Sequence, residues 1–248
     1  LHARNICLAW GSEPLLPPGV VPSPRILTSD GFLALPTLPE RVAVVGGSVI
    51  GVEFATLLAE LGCRVTLWEL MDRLIPAEDR DLSDFLAQAL NRLGVEIRTG
   101  VRMTAIAEDR DGVTITAEPA GGPSAAREGE TRPLRWHGSC CLLASGRRPR
   151  LDETALERLG IPYTPRGIPV GADGRTPAPG VWAVGDATGG MMLAHRAMQQ
   201  GRALADRLFG AGLVLCDERA VPAVLYTHPN IARVGLTERE AAAVGRDV

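Results

Sequence analysis

The sequence contains no lysine: all 26 of its basic residues are arginine. We read this as a coding bias and attach no function to it. Net charge is nearly absent too, −3 at pH 7, so no electrostatic ground exists for a nucleic-acid or membrane-surface partner. No apolar run approaches the roughly 20 residues needed to span a bilayer, and no signal-peptide pattern opens the chain. Internal repeats and low-complexity segments are lacking. The five cysteines, Cys7, Cys63, Cys140, Cys141 and Cys216, are scattered, mostly within apolar strand-like runs. That pattern excludes a disulfide framework and leads us to expect buried, reduced thiols in a cytoplasmic protein, with no metal site.

What is present is ordinary for a core-forming protein: 46% hydrophobic and 22% charged residues over a length of 248. That length slightly favours two domains over one. The chain opens on Leu1 inside an apparent strand and stops in an apparent helix, as a piece of a longer protein would.

Residues Asn5 to Ala9 read as a strand ending in the turn "WGSEP"; Pro-rich stretches follow from Pro14 to Pro24 and near Pro36 and Pro39. From Arg41 the pattern becomes strand (Val42 to Val45), glycine turn, helix (Val49 to Leu61) and strand (Arg64 to Glu69). That is one βαβ unit, implying parallel strands and a right-handed crossover. Leu82, Phe85, Leu86, Ala89, Leu90 and Leu93 recur at helical spacing, with Gly94 as a left-handed stop. Val95 to Arg98, Val101 to Glu108 and Val113 to Glu118 read as strands, the last two joined at "DRDG". Pro119 to Arg132 reads as loop and "CCLLAS" as a buried strand. Further on, "GIPV" and "GVWAVGDATG" suggest short strands, Leu193 to Phe209 a helix, and Val221 onward the first strands of another domain.

The sharpest local signal is the glycine turn. In a dinucleotide-binding turn the first glycine allows a tight bend, the second lets backbone approach a pyrophosphate, and the third lets helix and strand pack closely. Gly46, Ser48 and Gly51 hold those places, with Gly47 between the first two. A pyrophosphate would rest on the N-terminus of the following helix, against Val49 and Ile50, where N–H groups and the helix dipole favour an anion. The Ser48 hydroxyl can itself bond a phosphate oxygen. Glu69 falls close to the ~20-residue offset at which an acid bonds the ribose hydroxyls. Its charge repels a 2′-phosphate and favours NAD over NADP, whereas Arg73 nearby is of the type that accommodates one.

Five motifs, in order, extend this: "NICLAWGSEP", "GGSVIGVEFA", "ASGRRP", "GVWAVGDATGGMMLAH" and "YTHPNIARVG". Together they resemble the FAD-dependent pyridine nucleotide–disulfide oxidoreductase family over nearly the whole chain. Within it, "MMLAH" and the acid of "VTLWELMDRLIP" look most like dihydrolipoyl dehydrogenases. Serine at the centre of the turn occurs in mercuric reductase relatives, so a mercuric or quinone reductase remains the alternative. The resemblance implies an α/β fold, a Rossmann-like NAD-binding domain of parallel sheet plus β-meander inserted in part of an FAD-binding domain. Its expected boundaries are a partial FAD-binding domain at 1–36, the NAD-binding domain at 37–148, further FAD-binding domain at 149–217 and the start of a dimerisation domain at 218–248.

By the same resemblance, FAD would meet Gly11, Ser12, Arg147, Gly185, Asp186, Met192, Leu193, Ala194 and His195. Asp186 matches an acid bonding the ribityl chain, and the 192–195 backbone amides face the flavin ring. Trp10 replaces the family's usual threonine. For NAD, Glu53 matches an acid near the nicotinamide–flavin contact, while Val101 and Gly146 match positions lining the site. The implied activity passes electrons from a small-molecule or lipoyl-domain dithiol through a redox disulfide and FAD to NAD, in a homodimer.

That chemistry needs a CxxxxC pair, which the sequence does not contain. Cys140 and Cys141 are neighbours on one strand, so their side chains face opposite ways. The glycine turn for the ADP half of FAD and a C-terminal His–Glu pair are missing as well. No catalytic residue is therefore expected within these 248 residues. A truncated, non-catalytic NAD-binding remnant is the reading from another class.

Overall fold

The structure, a computed structural model, describes residues 2–121, 133–212 and 216–247. The chain forms two compact units, divided at Glu13/Pro14 and Gly146/Arg147, with parts of the 224–248 region belonging to each. Sequence expectation set the corresponding borders at 36/37 and 148/149. The segment after Pro14 joins the second unit because Ile26–Thr28 adds to the edge of that unit's sheet.

The second unit is built on a five-stranded sheet in the order Ile26–Thr28, Cys140–Leu143, Arg41–Val45, Arg64–Trp68 and Glu96–Arg98. Every pairing is parallel, with Val42 opposite both Cys140 and Val65. Successive residues on these strands alternate between two cores, as the period of two requires. Val42, Val44, Val65, Leu67, Cys140 and Leu142 pack toward the helices Val49–Glu60 and Arg80–Arg92. Ala43, Val45, Trp68, Cys141 and Leu143 pack instead on Val113, Ile115, Ala117 and Trp136 of an antiparallel meander. That meander pairs Val101–Glu108 with Val113–Pro119 and the latter with Leu134–Gly138. Trp136 Nε1 also donates to Thr66 Oγ1 at 3.0 Å, so a hydrogen bond joins the layers. The βαβ unit and the parallel sheet plus meander thus stand as expected. At "DRDG" the Asp109 carboxylate accepts from the N–H groups of Asp111 and Gly112, both at 2.9 Å, which tightens the hairpin. Of the loop expected at Pro119 to Arg132, positions 122–132 lie outside the described residues.

In the first unit, Ile6–Leu8 runs parallel to Val181–Ala183, and Ser12–Pro14 pairs with Arg147–Pro149. Leu8, Leu156, Ile161, Ile168, Val181, Ala183 and Ala187 form its core. The helix Glu153–Leu159, not anticipated, is capped by Asp152 Oδ1 accepting from Ala155 N–H at 3.0 Å and ends on left-handed Gly160. "GIPV" forms no strand: Gly167 makes one isolated bridge to Thr164, and the rest is irregular. The helix Ala194–Phe209 stands within a residue of its expected limits. After Val221 the strands are Ala223–Leu225 and Ile231–Arg233, paired with each other. No helix among the described residues is long and apolar enough to cross a membrane.

The thiols correct one expectation. Cys140 and Cys141 are buried, but Cys7 is exposed and Cys63 and Cys216 are half-buried. Apolar neighbours in sequence misled here, because Ile6–Leu8 turns only Leu8 fully inward. Burial pushes the Cys140 thiol up to about 12, with Cys63 adding to the rise, and raises Cys141 as well. Both are inert thiols at neutral pH.

Candidate dinucleotide-binding sites

In the second unit, strand Arg41–Val45 delivers the chain into Gly46, which has φ +111° and sits where a Cβ would strike the Ala144 carbonyl. Only glycine satisfies both conditions. Gly51, in the first turn of the Val49–Glu60 helix, lies so close to the Gly46 carbonyl that any side chain would collide with it. The first and third glycines therefore have the physical roles read from the sequence. Ser48 is the N-cap residue of that helix but makes no side-chain capping bond, and it is exposed. It sits beside the first-turn amides, which have no carbonyl partner within the helix.

Glu69 is 8% exposed, and both its oxygens are held by backbone. Oε2 accepts from Gly47 N–H at 2.5 Å and Oε1 from Met71 N–H at 2.7 Å. Two amide donors, one to each oxygen, fix the direction of the carboxylate. The structure thus brings Gly46, Gly47, Ser48, Val49, Ile50, Gly51 and Glu69 together around one turn. Arg73 is engaged elsewhere: its Nη2 donates to the carbonyls of Pro76 at 3.1 Å and Glu78 at 3.2 Å.

The other three residues expected at NAD are placed differently. Glu53 Oε1 accepts from Tyr226 N–H at 2.8 Å. Val101 directs its side chain into the meander-side core, while its N–H donates to Glu69 C=O at 3.1 Å. Gly146, with φ +119°, follows the Cys140–Leu143 strand and has open space where a Cβ would be.

In the first unit, Arg147, Ser12 and Asp186 form a chain. Arg147 Nε donates to Ser12 Oγ at 2.8 Å, and Ser12 Oγ donates to Asp186 Oδ2 at 2.6 Å. Arg147 Nη2 also reaches Ser12 C=O at 2.9 Å. Gly11, at φ +72°, turns the backbone just before Ser12, and Trp10 packs on the unit's core. Gly185, at φ +69°, donates its N–H to Gln200 Oε1 at 2.7 Å, which fixes the start of the turn carrying Asp186. Met192 and Leu193 lead into the Ala194–Phe209 helix, with Leu193 at the N-cap and Ala194 first in the helix. The His195 ring contacts the Pro222 carbonyl through Nε2.

Sequence reasoning missed Arg196. It is only 4% exposed. It donates to Glu218 Oε1 (2.6 Å from Nη2, 2.9 Å from Nε), to Gly189 C=O at 2.7 Å and to Thr188 Oγ1 at 3.3 Å. Gln200 Nε2 joins the same Glu218 oxygen at 2.9 Å. This network shapes the 188–193 loop ahead of the helix. Nothing local announces it, because the acid is 22 residues away in sequence.

Known proteins share this architecture. The profile of the pyridine nucleotide-disulphide oxidoreductase family matches residues 1–201. A dihydrolipoyl dehydrogenase of Bacillus subtilis is 39% identical over 248 residues, which is 100% of this chain and 51% of that protein. Among solved structures, the HOCl-induced flavoprotein disulfide reductase RclA of Escherichia coli superposes with a TM-score of 0.85 at 30% identity, covering 100% of this chain and 55% of that one. LpdA of Mycobacterium tuberculosis gives 0.83 at 31%, covering 97% and 50%. The chain spans about half the length of the curated relatives it matches. With the glycine turn, its acid and the Ser12–Asp186 pair in place, and one family profile matched over most of the sequence, the chain belongs to the pyridine nucleotide-disulphide oxidoreductase family.

Proposed function

We propose that this chain supplies the NAD-binding domain and part of the FAD-binding domain of a flavoprotein that moves electrons from a dithiol to NAD, in the manner of a dihydrolipoyl dehydrogenase. The domain reading is 1–36 and 149–217 toward FAD, 37–148 toward NAD, and 218–248 leading into a dimerisation domain of a homodimer. One observation carries the proposal: the buried Glu69 carboxylate, pinned by Gly47 and Met71 N–H groups beside the glycine turn.

The residues present suit both cofactors. At the turn, Gly46, Gly47 and Gly51 leave backbone where a Cβ would clash, and Ser48 and Val49 present the helix start to a pyrophosphate. Glu69, held by two donors, keeps lone pairs for the ribose hydroxyls and repels a 2′-phosphate. In the other unit, Asp186 accepts from Ser12 and remains half-exposed for a ribityl hydroxyl, and the amides of 193–195 begin a helix whose dipole favours negative charge on a neighbouring ring.

When bound, the two cofactors would supply the hydride-transfer chemistry. The chain's part is to bind, orient and exclude alternatives. The dithiol substrate, a small molecule or a lipoyl group on a protein domain, would react with a cysteine pair that these 248 residues do not contain. The reading is tested by titrating the chain with NADH and NADPH and following fluorescence. Saturable NADH binding with weaker NADPH binding is expected, and no binding at millimolar NADH would overturn it.

A further inference from the structure

Apart from the Met71 N–H, the segment from Leu70 to Glu78 has no role in that reading, yet it carries the strained backbone of this unit. Ile75 is the one non-glycine residue among those described with a positive φ, +40°, and its side chain is 1% exposed. A β-branched residue adopts that conformation only when its surroundings impose it. Here they do so from two sides. Ile75 N–H donates to Gly47 C=O at 2.8 Å, and Leu74 stands so close over Gly47 that a Cβ there would lie 2.6 Å from Leu74 Cδ2. On the other side, Ser83 Oγ donates to Leu74 C=O at 2.7 Å, and Arg73 Nη2 bridges the carbonyls of Pro76 and Glu78. Gly47 is thereby held by both its polar groups, the N–H on Glu69 and the C=O on Ile75.

Resting on the dinucleotide reading above, we infer that this strap is a preformed brace for the glycine turn and that Arg73 is its positioning residue. Arg73 acts on the cofactor through Leu74, Ile75 and Gly47 and touches no phosphate. It is the cation whose position in the sequence suggested a 2′-phosphate ligand, and its Nη2 is committed to two carbonyls of the strap. Discrimination between NADH and NADPH then rests on the Glu69 charge and is independent of Arg73.

The test uses the full chain and the variants Arg73→Met and Arg73→Lys, titrated with NADH and NADPH. Losing the bridged carbonyls in Arg73→Met is expected to weaken NADH binding about tenfold. Arg73→Lys, which retains donors, should recover most of that loss. The NADPH-to-NADH ratio should be unchanged in both. Parent-like NADH binding by Arg73→Met would overturn the inference, as would a selective loss of NADPH binding. Amide hydrogen exchange on the parent chain gives a second readout should Arg73→Met fail to fold. The Ile75 N–H should be protected before any NADH is added, and exchange at the rate of a free peptide would refute a preformed brace. A parent that binds no NADH defeats the earlier reading instead, and the exchange measurement still decides this one.

Discussion

Replacing Glu69 by glutamine keeps the side chain's shape and removes its charge. Its two oxygens accept from Gly47 N–H at 2.5 Å and Met71 N–H at 2.7 Å in a site that is 8% exposed. A carboxamide has a single acceptor oxygen, so one of those N–H groups must then face an NH₂ group. A buried donor left without a partner costs about 1–3 kcal/mol. For a unit of this size that corresponds to a fall in Tm of roughly 2–4 °C per kcal/mol. Binding should suffer further, because hydroxyl bonds to a charged acceptor are worth about 1.5–3 kcal/mol, or roughly ten- to a hundredfold in affinity. The loss should fall on NADH far more than on NADPH, since the repulsion of a 2′-phosphate disappears with the charge. Calorimetry gives the first number, and fluorescence titration well below the melt gives the second. If Glu69→Gln melts with the parent and binds NADH within twofold of it, the carboxylate is not part of the site and the argument fails.

Three further outcomes follow from the geometry. Gly51→Ala places a methyl group against the Gly46 carbonyl, so the helix must move off the strand; NADH titration should show binding abolished, with a melting temperature below that of the parent. Ser12→Ala removes the hydroxyl between Arg147 and Asp186 and should lower the flavin absorbance retained after incubation with FAD, whereas Ser12→Thr keeps it. The thiols make a third case. At pH 8, iodoacetamide followed by mass spectrometry should modify Cys7, Cys63 and Cys216 and spare Cys140 and Cys141. Burial raises Cys140 from its ordinary 9.0 to about 12, so between those values the unfolded chain binds fewer protons than the folded one and stability falls as pH rises. Urea midpoints at pH 8 and 10 should show that fall in the parent, and Cys140→Ala should reduce it.

Legibility in the sequence tracked how local each cause is. The glycine turn, its helix and the flanking strands were readable because each depends on neighbours within a few residues. The parallel strands, buried on both faces, give continuous apolar runs such as "RVAVV" and "CCLL". Ile26–Thr28 was hidden among prolines, since three residues at a sheet edge carry no periodicity of their own. Leu134–Gly138 holds a buried tryptophan between exposed residues and follows a polar stretch, so its membership of the meander is set by Val113–Pro119 alone. The Ser12–Asp186 and Arg196–Glu218 pairs were beyond reach for the same reason: partners 174 and 22 residues apart meet only through the fold. The motif resemblance pointed to Ser12 and Asp186 individually and left their hydrogen bond to be found. Glu53 shows the converse, a motif acid whose observed partner is the Tyr226 backbone.

That last contact has a counterpart. Glu60, seven residues along the same helix, pairs with His228 Nδ1 at 3.2 Å, so one short downstream stretch is pinned to the helix at two points, its second turn and its last residue. The helix acts as a ruler. Seven residues bring the two acids back to nearly the same face, at 3.6 residues per turn. Adding or deleting a single residue between them swings one acid by about 100° and breaks one of the two pins. Length variation in this protein and its relatives should therefore be rare between positions 53 and 60, while substitutions on the outward side of the helix pass freely.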